Sequence, residues 1–118
     1  MKEEVSKKIE TFKEEFGKIL DPVAFIKEKD EELCKAFLEL HELTVNKGVI
    51  SKKLKFLMHA AITASLHDVE ATAMHLTGAL KGGATDDEIL ETAFTIIPVA
   101  GMPAFSIFLN AIRRVKPL

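Results

Sequence analysis

The fold is decided by the stretch from His75 to Phe105. It reads His75-Leu-Thr-Gly-Ala-Leu-Lys81, Gly82-Gly83-Ala84-Thr85, Asp86-Asp87-Glu88, an apolar run, then Gly101-Met102-Pro103-Ala104-Phe105. The first segment has the small and apolar residues of a packed helix, and the glycine pair stops it. Thr85 and Glu88 stand three apart, the spacing at which the Thr hydroxyl and the Glu carboxylate satisfy each other's exposed amides in a capping box. A new helix therefore starts at Thr85. Gly101 with Pro103 breaks the run that follows. No polar–apolar alternation long enough for a strand occurs anywhere, nor an internal repeat or low-complexity linker. The fold class is all-α.

Working outward, Val5, Ile9, Phe12 and Phe16, with Ile19 or Leu20, recur at three- and four-residue steps, which predicts an amphipathic helix over 3–19. Asp21-Pro22 fits an N-cap followed by Pro at the first helical position, opening a short helix through Ala24, Phe25 and Ile26. A longer helix is expected from Asp30 to Val45, with Leu33, Phe37, Leu40 and Leu43 or Thr44 inward and Gly48 at its stop. Ser51 caps a helix to about Leu66, and another runs from about Asp68 to Lys81. The total is six to seven helices, with residues 1–20 as an N-terminal amphipathic helix and 21–118 as the main domain.

Length and charge bound the function. A chain of 118 residues is one domain by size, and a net charge of -2 with interspersed signs makes no electrostatic case for nucleic acid. Twelve of the sixteen Lys and Arg lie in residues 1–55, whereas Thr92–Ile112 carries no charge. That run meets the length of a membrane span, but Pro98, Gly101, Pro103 and Asn110 divide it, so two short buried helices are expected and no membrane. So small a domain cannot cover that much uncharged helix alone, which predicts an obligate homo-oligomer. Met1-Lys-Glu-Glu opens without the apolar core of a signal peptide, and the single Cys34 fits a reducing compartment, so the expected location is cytoplasmic. Within Leu33-Cys34-Lys35-Ala36-Phe37, Cys34 reads as a small buried hydrophobe.

Chemistry is expected where the helices at 52–66 and 68–81 meet. His67, Ala71 and His75 stand at four-residue steps with Asp68 seven before His75, while Phe56, His59 and Thr63 share a face of the other helix. His75 is the candidate acid or base, with Asp68, Glu70 or His67 to orient it. His59, Thr63, Phe56 and Ala71 are the expected pocket. His59, His67, Asp68 and His75 together match no established metal-ligand spacing, so neither metal nor cofactor is expected. The Gly82-Gly83 pair lacks the Lys-Ser/Thr of a phosphate loop.

The joint spacing of His75, the Gly82–Thr85 turn and Gly101-x-Pro103-Ala104 resembles the carboxymuconolactone decarboxylase and alkylhydroperoxidase-D-like family over roughly residues 22–115. There a helix carries a functional His, an AGAT-type turn follows, and Gly-x-Pro-Ala breaks the next helix pair. The resemblance implies an alkylhydroperoxidase-D-like helical bundle assembled as a trimer or hexamer. Its redox branch places Cys-x-x-Cys seven and four residues before the His and a Glu on the preceding helix. Those positions here are Asp68, Ala71 and Phe56.

Three functions follow as expectations. The first is a lyase or isomerase acting on a small carboxylic acid or lactone, with His75 transferring the proton and Arg113, Arg114 or a group from another subunit to meet a substrate carboxylate. The second, a peroxiredoxin-type activity, is disfavoured because a thiolate and a second thiol are both required, leaving only Cys34. The third is a non-catalytic oligomeric scaffold that retains the fold.

Overall fold

The computed structural model describes residues 1–116, which form six helices: α1 Lys2–Phe16, α2 Asp21–Lys29, α3 Glu31–Val45, α4 Lys52–Ser65, α5 Val69–Lys81 and α6 Asp86–Val115. There is no strand among the described residues. Four helices begin where a short polar side chain can take up an exposed amide. Asp30 accepts from Leu33 N–H at 3.0 Å, Ser51 from Leu54 at 3.1 Å and Asp68 from Ala71 at 3.0 Å. At Thr85 both halves of the capping box form, at 3.1 and 2.9 Å. Asp21 differs from expectation. Leu20 is the N-cap and Asp21 the first helical residue, where its charge still faces the positive end of the helix dipole.

The chain divides into two compact units, Met1–Val49 and Ile50 onward. Within the first unit the apolar stripe of α1 needs a partner and finds α3. Val5, Ile9, Phe12 and Phe16 are all buried, as their spacing predicts, and Gly17 ends α1 at φ 82°. On α3 the expected inward face is wrong by one position. Cys34, Leu38 and Val45 are buried, whereas Leu33, Phe37, Leu40 and Leu43 are exposed. The helix carries two overlapping apolar rows, and α1 selects the one that also holds His41. His41 Nε2 lies 2.7 Å from Glu15 Oε1, with the rings of Phe12 and Phe16 edge-on to its imidazole at 4.9 and 5.5 Å. Lys8 pairs with Glu42 beside it at 3.0 Å.

In the second unit α4, α5 and α6 pack mutually around Phe56, Leu76 and Phe108, all essentially inaccessible. The uncharged run does break at Gly101, whose φ 85° and ψ 176° are not helical. Across the break the rings of Phe94 and Phe105 stack with centroids 6.1 Å apart. Eleven residues of straight helix would span about 16 Å, so the arms 86–100 and 102–115 are sharply bent on one another. Each arm is about 21 to 23 Å long, short of the roughly 30 Å of a bilayer core. Within the single chain only 22% of its most apolar window is covered, and Phe94, Val99 and Met102 are exposed, in keeping with the expectation that the chain does not cover this run alone.

Candidate functional site

Helices α4 and α5 form an antiparallel pair joined by Leu66-His67-Asp68. The turn closes with two bonds, Asp68 N–H to Thr63 C=O and His67 N–H to Ala64 C=O, both 2.9 Å. This is the Schellman arrangement, whose left-handed position normally belongs to glycine. His67 occupies it at φ 62°. Asp68 then ends one helix and caps the next, so the reversal takes three residues.

The tight turn fixes the register between the two helices. The backbone of Gly82 comes so near α4 that an added Cβ would lie 3.5 Å from Lys53 Cα, and Thr63 meets Thr72 hydroxyl to hydroxyl at 2.8 Å. Between these ends, His59 faces His75 with ring centroids 5.0 Å apart and planes at 73°. Phe56 stands edge-on to His59 at 6.0 Å. Both histidines are half-buried, and the Nδ1 atom of each is shielded from solvent.

Four of the eight expected residues are thus brought together or adjoin the pair: His75, His59, Phe56 and Thr63. Ala71 is half-buried and gives its N–H to Asp68. Three expected supporting groups lie elsewhere. His67 is exposed and outside the helix, so it does not share a helical face with His75. Asp68 is exposed, its carboxylate is occupied at the cap, and seven residues set it about 10 Å along the axis from His75. Glu70 is exposed in the first turn of α5, and five residues of helix rotate it about 140° from His75.

Thr72 went unnoticed in the sequence. It is fully buried, and its hydroxyl donates to Asp68 C=O at 2.7 Å while touching Thr63. Two hydroxyl protons serve three contacts there, since Thr63 also donates to Ala60 C=O at 3.2 Å. A Thr inside an apolar helix face is a weak signal, because back-bonding to the preceding turn is ordinary. His41 with Glu15 was missed for a different reason, as their pairing needs α1 against α3.

The electrostatics at the start of α6 are well defined. The Thr85 amide, followed by Lys53 at 2.9 Å, holds the Glu88 carboxyl below its usual range. Arg113 and Arg114 are exposed, and Arg114 Nε donates to Asn110 at 3.2 Å. Among the described residues no group of three or more His, Cys, Asp or Glu is arranged to hold a metal. Each of the two adjacent imidazoles offers, in its neutral form, a donor and an acceptor, the equipment for moving a proton.

The model of the carboxymuconolactone decarboxylase family matches residues 31–114, from α3 to the end of α6. The chain belongs to the carboxymuconolactone decarboxylase family. A crystal structure from Burkholderia xenovorans LB400, provisionally named a carboxymuconolactone decarboxylase, superposes with a TM-score of 0.86 over 96% of this chain and 90% of that one. Its sequence is 18% identical, so the likeness is one of fold. No curated protein matches the chain. The redox cysteine positions of the family's relatives are here the two ends of a cap, Asp68 and Ala71, with no thiol at either. Cys34, the one cysteine, is fully buried, and burial pushes its thiol pKa up.

Proposed function

We propose that this member of the carboxymuconolactone decarboxylase family is a cytoplasmic lyase or isomerase of small carboxylic acids or lactones in which His75 transfers the proton. The observation that carries the reading is the placement of His75 against His59, half-buried between two helices whose register is fixed at both ends. A proton donor or acceptor held by packing loses little freedom when it reacts. His59 is the neighbour that can exchange a proton with it or hold a substrate oxygen. The thiol peroxidase alternative is opposed by Cys34, whose burial keeps it protonated and out of reach of a peroxide.

The test combines the His75→Gln variant with proton NMR of the imidazoles. Addition of a small lactone acid or keto acid is expected to move the His75 ring resonances, and turnover of any acid that does so should fall about 100-fold or more in the variant. Histidine signals that ignore every acid in a broad panel, together with a variant that loses only stability, would refute the enzymatic reading in favour of a scaffold.

A further inference from the structure

On the reading of His75 as the proton-transfer group, we infer that the bond between the Thr63 and Thr72 hydroxyls holds His75 at its distance from His59, which makes both threonines positioning residues. Thr63 stands one turn after His59 on α4, and Thr72 one turn before His75 on α5. Because the helices run antiparallel, the hydroxyl pair and the imidazole pair form neighbouring layers, about 4.5 to 6 Å apart along the axes. The close approach of Gly82 to Lys53 lies on the other side of the imidazoles, about 9 to 10.5 Å away. The 2.8 Å bond between the threonines is therefore the nearer of the two constraints.

Small residues make up much of the buried surface of both helices, Ala60 and Ala64 on α4 with Ala73, Gly78 and Ala79 on α5. They let backbones come close but supply few knobs to lock one helix against the other. A bond between two hydroxyls is lost on a shift of about 1 Å, so it selects one register, as buried polar groups do between other paired helices.

The hydroxyls do not need each other to place their protons. Thr72 donates to Asp68 C=O at 2.7 Å, and Thr63 has Ala60 C=O within reach at 3.2 Å, each in the preceding turn. With the Thr72 proton committed to Asp68, the Thr63 proton is the one that crosses to α5. Removing either hydroxyl strands no donor, so valine at either position keeps the fold while deleting the bond between helices.

The rings of His59 and His75, 5.0 Å apart between centroids, are close enough for a nuclear Overhauser effect in the folded chain. Thr72→Val and Thr63→Val should each weaken that cross-peak and shift both imidazole resonances. Thr72→Ser, which restores the hydroxyl, should return them to the values of the unaltered chain. For any acid the protein turns over, kcat should fall about 10- to 100-fold in the valine variants with KM little changed. Thermal unfolding separates position from stability. A pair that served stability alone would lower Tm and leave the ring contact of the folded protein intact, and that result would overturn the proposal. So would a Thr72→Ser variant that behaves as Thr72→Val does. Thr63 is only half-buried, so Thr63→Val supplies the reading should Thr72→Val not fold. If the rings separate in the valine variants yet the unaltered chain turns over no acid, the hydroxyl pair still positions the imidazoles and only the enzymatic reading falls.

Discussion

Replacing Gly101 by alanine tests whether the break in α6 is imposed by backbone conformation. At φ 85° and ψ 176° the residue lies in a region that only glycine visits without strain. Space does not add to the problem, because the nearest atom to an added Cβ would be Pro103 Cδ at 3.6 Å, an ordinary contact. The cost is therefore conformational, about 1 to 3 kcal/mol. Alanine also reduces the freedom of the unfolded chain, which offsets about 0.4 to 1 kcal/mol. The net expectation is a loss of roughly 1 to 2 kcal/mol, a fall in Tm of about 4 to 8 °C for a domain of this size.

Gly82→Ala is the matched control. Gly82 sits at φ -81°, which any L residue adopts, and its added Cβ would meet two carbonyl oxygens at 3.4 Å. The same chemical change should there be neutral or stabilising by up to about 1 kcal/mol. Thermal and urea unfolding of both variants supply the comparison, with near-ultraviolet circular dichroism to follow the Phe94–Phe105 stack. If Gly101→Ala costs less than about 0.5 kcal/mol, or no more than Gly82→Ala, backbone conformation is not what fixes the bend.

Three further outcomes are expected. His67→Gly should stabilise the protein by roughly 0.5 to 1 kcal/mol, since the left-handed penalty of the Schellman position exceeds the entropy cost of glycine; lower stability in chemical denaturation would contradict this. Glu88, whose folded pKa is depressed, contributes stability above the ordinary carboxylate range and loses it as pH falls through the lower folded value. Glu88→Gln should accordingly flatten the acid limb of the stability profile, and an unchanged limb would exclude that role. Cys34 should resist iodoacetamide at neutral pH until the chain unfolds, as its buried thiol stays protonated; alkylation of the native protein at the rate of a free thiol would refute the stated burial.

The helix starts were legible because they are settled locally. Ser51, Asp68 and Thr85 each satisfy an amide three residues away, and no tertiary partner is needed for those bonds. Asp68 shows the limit of such reading, because its spacing from His75 suggested a catalytic partner while its carboxylate was already committed to the cap. The αL position of His67 left no trace in the sequence, since nothing but the geometry of the turn demands it.

By itself, then, the sequence determined an all-helical chain, most of its helix ends, the break at Gly101 and the buried face of α1. Those depend on interactions within a few residues or on a single apolar stripe without a rival. Tertiary structure alone decided which of two apolar rows on α3 turns inward, that His41 meets Glu15, and that the register of α4 against α5 pairs Thr63 with Thr72 and His59 with His75. Each of those choices is made by contacts between helices, where burial of one row against a neighbour outweighs any preference written within the helix.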